Sequence, residues 1–464
     1  MPDSHRPIAV AAPRPPVSVG NMNPATWHAE RAIVGGAVVA DVAITVEGGS
    51  ITGVAGQVPP PDGARRLGGL TIPGLVNAHS HAFHRAMRGW VERRGADFWG
   101  WRAAMYAVAG RLDPDSYRDL ATAVYCEMAL SGITAVGEFH YLHHGPRGAR
   151  YAEPNAMADA LRAAADTAGI RLTLLDACYL RGGWGVEADE IQQRFSDGSV
   201  DAWEERVSLH AGSDRVKVGA AIHSVRAVDE AGLARVAEWA TSRRAPLHFH
   251  VSEQRAENEA ALAATGRTPI ELLAEGGALG RRSTAIHATH VTGGDVGLLG
   301  GTGTGVCMCP TTERALGDGV GPAAALAAAG SPLSVGSDSH AVIDLFEEAR
   351  AIELDERLSH ERRRLHTADD LLQAATAGGM ASLGWEGGAI REGAPADFVA
   401  LDVEGSIRLA GAADSDLVDH VVFAAAPSDV TEVVVGGRPV VSAGRHVAGD
   451  VAAMLARAIS RVRR

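Results

Sequence analysis

Eight short apolar runs, each ending in polar residues and separated from the next by a stretch of helical length, constrain this chain more than any other feature. They cover residues 71–81, 133–142, 171–180, 216–225, 246–253, 284–290, 305–313 and 332–340. The segments between them are rich in Ala, Leu, Arg and Glu. Strand-length apolar runs alternating with helical segments predict parallel strands joined by crossover helices. Eight such units predict an α/β fold, a (β/α)8 TIM-like barrel over residues 71–390. Chemistry in that architecture sits at the C-terminal ends of the strands. The polar residues gather at the run ends: His79 and His81, Glu138 and His140, His223, His248 and His250, His287, and Asp338. Histidines that merely filled a core would show no such bias.

The flanks read differently. Ala32-Ile33-Val34, Val42 to Val46 and Ser50 to Val54 are short β segments, with Gly48-Gly49 as a hairpin turn signal. Residues 397–402, 418–424, 430–435 and 440–441 read the same way near the other end. Two β-rich ends around one middle predict a small β-sandwich domain built from both termini, residues 25–70 plus 391–464. Residues 1–24, with Pro at 2, 7, 13, 15 and 16, carry no periodic pattern and are expected to be a flexible leader rather than a signal peptide.

Composition narrows the partners. The chain has 43 basic and 56 acidic residues, a net charge of −13, so it carries no footprint for nucleic acid or an anionic membrane surface. No apolar stretch reaches the ~18 residues of a membrane span, and the expected location is cytoplasmic. Four cysteines in 464 residues form no disulfide framework. Cys307 and Cys309 lie in an apolar run and are expected in the core.

The run ends can be combined into a site. Alternate residues of a strand point the same way, so His79 and His81 present two imidazoles on one face. Run five offers a third imidazole, from His248 or His250, which share the same spacing and are not separated by pattern. Glu253 follows just past the strand, and Asp338 emerges from the Gly336-Ser337 turn. Asp338 could also be read as a helix N-cap. Three imidazoles, one carboxylate and an open position make a hydrolytic divalent-metal site.

His79-x-His81, His250-x-x-Glu253, His287 and Ser337-Asp338-Ser339 resemble the amidohydrolase superfamily in its mononuclear deaminase branch. No Lys ends run four, where the binuclear members carry a bridging one; Lys217 lies at the start of that run. The stretch Asn77-Ala78-His79-Ser80-His81-Ala82-Phe83-His84-Arg85-Ala86-Met87 is similar to a signature of formimidoylglutamate deiminases. So are Phe98-Trp99-Gly100-Trp101-Arg102, Glu138 to His144, His223-Ser224-Val225-Arg226, Cys309 to Glu313 with Leu316 to Gly319, and Gly336 to His340. One position departs: His84 stands where the family has Gln, near the expected substrate.

The resemblance implies hydrolysis of N-formimino-L-glutamate to N-formyl-L-glutamate and ammonia, a step of histidine degradation. It implies one Zn2+ per subunit, with Fe2+ or another divalent metal as alternatives, held by His79, His81, His250 and Asp338. It gives catalytic roles to Glu253, His287 and Asp338. A small dicarboxylate substrate in an acidic protein needs local guanidinium groups, and Arg226 and Arg102 are the candidates. Arg102 lies in a segment with Trp99 and Trp101 that is expected to be a loop over the pocket. Tyr141, His223 and His84 are expected to add hydrogen bonds. A homodimer is expected from the family. His140, His143, His144 and His290 are expected to be structural or supporting, and His210, His360, His366 and His446 to lie on the surface. The rivals are a mononuclear-metal deaminase acting on a nucleobase-like substrate and, more remotely, a non-catalytic barrel scaffold.

Overall fold

A computed structural model describes residues 25–91 and 98–463. The leader expected over residues 1–24 lies outside them. Eight parallel strands form the barrel sheet: β1 (Leu75–Ser80), β2 (Ile133–His140), β3 (Arg171–Cys178), β4 (Val216–Ile222), β5 (Leu247–Val251), β6 (Ser283–His287), β7 (Gly305–Met308) and β8 (Leu333–Val335). Each pairs with its sequence neighbour through β8, as right-handed β–helix–β units do. β1, β2, β3 and β6 are buried at every residue, which explains their continuous apolar text.

The seam between β8 and β1 closes at the strand ends. Ser80 and Asp338 form a bridge, Asp338 N donates to His79 O at 3.0 Å, and His81 N donates to Asp338 O at 3.3 Å. Gly336 makes this approach possible, because a Cβ there would lie 2.7 Å from His79 Cβ and 2.9 Å from His79 O. The sequence Gly336-Ser337-Asp338 is therefore a closure element as well as a site element.

The terminal β domain is an eight-stranded mixed sheet. In spatial order its strands are Arg445–His446, Arg438–Ser442, Val430–Val435, Phe398–Leu401, Arg65–Pro73, Ala25–Val34, Ala37–Glu47 and Ser50–Ala55. Period-2 alternation splits its faces. Phe398, Ala400 and Val434 join Trp27, Ile44 and Leu67 in a core of their own, while Val399, Leu401, Val433 and Val435 face the barrel core. Arg171 of β3 clamps the two units, with Nε 2.6 Å from Asp397 Oδ2 and Nη2 3.1 Å from Oδ1.

Several expectations need correction. The segment read as a strand at 418–424 is the helix Leu417–Ala424, whose buried Leu417, Val421 and Val422 follow helical spacing. The final helix, Val451–Arg463, lies against the barrel helix Pro114–Leu130, with Arg461 bonded to Asp119 at 2.9 Å. Of the four histidines expected on the surface only His360 is exposed, at 55% of its side chain. His210 bonds Asp176, His366 bonds Glu356, and His446 reaches Ala168 O. Cys307 and Cys309 are buried as expected. Among the described residues no helix is long and apolar enough to cross a membrane.

Candidate metal centre and substrate pocket

His79 and His81 at the end of β1, His250 in β5 and Asp338 beyond β8 bring one ligand atom each to within 4.8 Å of one another. His250 Nε2 lies 3.1 Å from His79 Nε2 and 3.4 Å from His81 Nε2. Asp338 Oδ1 lies 3.2 Å from His79 Nε2 and 3.4 Å from His81 Nε2. The ambiguity in run five is resolved: His248 sits two residues earlier on the strand, its Nε2 2.9 Å from Ser382 O.

The donor set fits a divalent cation. His81 Nδ1 is 3.0 Å from Phe139 O, and His250 Nδ1 is 3.0 Å from His223 O. A carbonyl only accepts, so both Nδ1 atoms carry the proton and both Nε2 atoms present bare lone pairs. Burial lowers the pKa of His79, His81 and His250, which keeps them neutral. The bare His81 Nε2 faces the bare His250 Nε2 and Asp338 Oδ1, each at 3.4 Å, and such contacts repel unless a cation lies between them. For Asp338, burial favours the neutral form, but the His79 contact and the nearby imidazoles hold its carboxyl well below the usual range.

A second group, His140, His143 and Asp176, has the residue types but not the chemistry of a metal site. Arg206 takes both oxygens of Asp176, at 2.7 and 2.8 Å, and His143 Nε2 lies 2.9 Å from Ala177 O. The guanidinium already occupies the place of a cation.

His287 and Glu253 converge on the open side of the centre. His287 Nε2 is 3.8 Å from Glu253 Oε1 and 3.9 Å from Asp338 Oδ2. Its Nδ1 is 3.3 Å from Glu313 Oε1, which also accepts from Cys309 N at 3.0 Å. Burial works against the imidazolium, yet Glu253, Glu313 and Asp338 together raise the His287 pKa well above its ordinary value. Burial raises the Glu253 carboxyl, with His287 opposing. Glu313 carried no role in the sequence reading, although the Cys309 to Glu313 stretch stood out. Its part depends on the helix Pro310–Leu316, which begins directly after β7 and sets the Glu313 carboxylate against His287 at the end of β6.

Backbone strain concentrates at the same ends. Ser252, His287, Ala288, Asp338 and His340 all have φ between 40° and 70°, although none is glycine. Such residues cost on the order of 1–3 kcal/mol each and persist where surrounding structure holds them.

The pocket above the centre has a volume of about 480 Å³, and His84, Arg102, Tyr141, His223, Arg226 and Glu253 all line it. His84 Nε2 is 2.9 Å from Tyr141 Oη, and burial lowers its pKa to about 3, so it is a neutral hydrogen-bonding group. His223 packs edge-on against Tyr179 at 4.6 Å and Tyr141 at 5.4 Å, and burial lowers its pKa too. Arg102 lies within the helix Phe98–Ala109 rather than in a loop. Its Nε and Nη2 reach Tyr106 Oη at 2.8 and 2.6 Å. Gln192 then ties Tyr106 Oη to Tyr179 Oη, at 3.1 and 2.7 Å. Tyr106 and Gln192 escaped the sequence reading because they belong to no strand end, and Tyr179, just past the end of β3, because spacing alone does not tell a pocket tyrosine from a core one. Among the described residues, the Arg226 guanidinium makes no hydrogen bond or ion pair, and its charge reaches Glu253 and Glu257. Lys217, at the start of β4, bonds Gly384 O at 2.5 Å, at the opposite end from the ligands.

Comparison with known proteins agrees with this geometry. Residues 70–440 match the amidohydrolase family. The formimidoylglutamate deiminase of Pseudomonas aeruginosa is 39% identical over 413 residues, covering 86% of this chain and 91% of the relative. The crystal structure of an amidohydrolase from Brucella melitensis superposes with a TM-score of 0.86 at 34% identity, over 95% of this chain and all of that one. An adenosine deaminase from Xanthomonas campestris with bound zinc gives a TM-score of 0.78 at 25% identity, covering 94% of this chain and 98% of that one.

Proposed function

The chain belongs to the amidohydrolase family, and on this basis we propose that it hydrolyses N-formimino-L-glutamate to N-formyl-L-glutamate and ammonia. The observation that carries the substrate is the Arg226 guanidinium, which lines the pocket beside the three-histidine, one-aspartate centre and makes no hydrogen bond or ion pair among the described residues. A guanidinium meets a carboxylate through two parallel N–H bonds, and the substrate offers two carboxylates. Arg102, aligned by Tyr106, supplies the second clamp. Tyr141, His223 and His84 surround the space between clamp and centre with hydrogen-bonding groups.

We further propose that the metal is zinc, one per subunit, held by His79, His81, His250 and Asp338, with ferrous iron as the alternative. The adenosine deaminase of similar fold holds zinc. A metal there would lower the pKa of a water molecule toward neutrality and polarise the substrate. The protein's own groups do the rest. Asp338, through the oxygen facing His287, accepts the water's proton as its oxygen bonds to the formimino carbon. His287 Nε2–H, aligned through Nδ1 by Glu313, donates to the oxygen of the tetrahedral carbon. Glu253, whose carboxyl pKa is raised by burial, delivers a proton to the former imine nitrogen. The proton held by Asp338 then passes to the same nitrogen while the hydroxyl proton of the tetrahedral carbon returns to Glu253. The carbon–nitrogen bond breaks as the carbonyl forms, ammonia leaves, the formyl group remains and both carboxyls regain their starting states.

One observation favours a second reading. Trp101, Tyr106, Tyr179 and Phe195 line the same pocket, and aromatic walls also suit a flat nucleobase-like ring. Such a ring offers no carboxylate to the Arg226 guanidinium, so we favour the linear substrate. We propose the cytoplasm as the location and a homodimer as the assembly. The deciding experiment is ammonia release by the zinc-loaded protein from N-formimino-L-glutamate, run beside adenosine and guanine. Turnover of a ring alone would overturn the substrate and keep the hydrolytic centre.

A further inference from the structure

A cavity of about 690 Å³ opens at the N-terminal end of the barrel, where β4 and β5 begin and the chain enters β6. The same three strands deliver His223, His250 and His287 at their other ends, so this cavity lies on the face opposite the metal centre. Its lining includes Lys217, Arg243, Arg244 and Arg282 and no carboxylate. Four cations share one cavity in a chain whose net charge is −13.

None of the four forms an ion pair among the described residues. Lys217 Nζ donates to Gly384 O at 2.5 Å and lies over the Trp385 ring, 4.8 Å from its centre. Arg243 reaches only hydroxyls, Ser208 Oγ at 3.1 Å and Ser242 Oγ at 3.4 Å, and lies 4.6 Å from the centre of the Trp239 ring. The guanidinium groups of Arg244 and Arg282 make no hydrogen bond among the described residues. The one carboxylate whose field reaches Lys217 is that of Glu386, outside the lining.

A helix C-terminus attracts cations, and the helix Glu230–Ser242 ends at Arg243 and Arg244. That dipole accounts for two of the four. Lys217 and Arg282 arrive from other segments, and like charges brought together without counter-charge repel one another. Arg244 is also held at φ +53°, a conformation that favours glycine or asparagine at a helix end, so the fold bears strain where the side chain meets the cavity.

We propose that this cavity is a binding site for a small oxyanion carrying two or more negative charges. Phosphate and carboxylate groups both match guanidinium forks. The Trp239 ring beneath Arg243 and the Trp385 ring beneath Lys217 hold these cations in place while their remaining N–H groups stay available.

The test is calorimetric titration of the metal-loaded, full-length protein with pyrophosphate and, separately, citrate at about 0.15 M salt. The unmodified protein should bind at least one of them saturably, one per chain at this cavity. Arg282→Ser should weaken that binding about tenfold, and Arg243→Ser with Arg282→Ser about a hundredfold, as charge-assisted bonds are lost. Arg244→Gln provides an independent single variant with the same expected direction. Preference for pyrophosphate would mark phosphate-bearing ligands, and preference for citrate polycarboxylates. Failure of both anions to saturate the protein would overturn the proposal. So would variants that bind as tightly as the unmodified chain, because the anion would then sit elsewhere, for instance at Arg226. The site's existence is independent of the substrate proposed above.

Discussion

Arg194 Nη2 lies 2.6 Å from Leu112 O, and the rest of the same buried guanidinium binds the carbonyls of Ala109 and His144. The backbone oxygen of Arg194 in turn accepts from His143 N and His144 N, at 3.0 and 2.9 Å. One residue thus ties the end of the helix bearing Arg102 to the loop after β2 and to the segment bearing Gln192 and Phe195, three parts of the pocket wall. Arg194→Met should leave three buried carbonyls without this donor, at about 1–3 kcal/mol each. We expect a stability loss of several kcal/mol by urea unfolding, with metal content per folded molecule unchanged. A loss below about 1 kcal/mol would mean that the wall is held by other contacts.

Removal of ligands and of the proton donor should separate cleanly. His250→Ala should lose metal and all turnover. Glu253→Gln should keep the metal and lose about 10²–10⁴ in kcat. Metal analysis of both proteins checks this, and metal loss in Glu253→Gln would make that residue a ligand.

Glu313 acts through His287, so Glu313→Gln should preserve metal binding while lowering kcat by about tenfold to a hundredfold. It should also bring the imidazole pKa down, since a carboxylate partner is lost. NMR titration of His287 in the metal-loaded protein reads this directly; an unmoved pKa would remove Glu313 from the relay.

Arg226→Met should raise KM for N-formimino-L-glutamate at least tenfold, while a neutral amidine substrate should be little affected. Tyr106→Phe should raise KM less, because Arg102 loses its alignment but keeps its charge. Unchanged KM values in Arg226→Met would place the substrate carboxylates elsewhere.

Acid stability should trace to Asp176 and Asp197. Burial pushes both carboxyls up, but their bonds to Arg206, together with His210 on Asp176 and His144 on Asp197, hold them well below the usual range. A carboxyl depressed on folding contributes stability that is fully present above its unfolded pKa, near 3.9, and is lost as pH falls below it. Asp197→Asn should therefore be less stable than the unmodified chain by about 3 kcal/mol or more at pH 7. The gap should narrow as pH falls through about 4. Urea unfolding at a series of pH values measures it, and parallel curves would exclude Asp197 from the acid limb.

The barrel and most of the metal centre were legible in the sequence. Strand periodicity places His79 with His81, and the order of eight apolar runs places polar residues at one end of a parallel barrel, because both follow from local backbone geometry. Tertiary structure decided what local spacing leaves degenerate. His248 and His250 have identical patterns, and only the height of each on β5 tells the one that joins His79, His81 and Asp338 from the one bonded to Ser382. Leu417–Ala424 is as apolar as a strand, and its packing makes it a helix. Glu313 meets His287 across 26 residues, Arg102 is aligned by a tyrosine that Gln192 holds, and Gly336 must pass His79 too closely for any side chain. Each of these relationships is set by a distance between remote segments. Sequence spacing encodes periodicity along the chain, and such distances exist only once the barrel has closed.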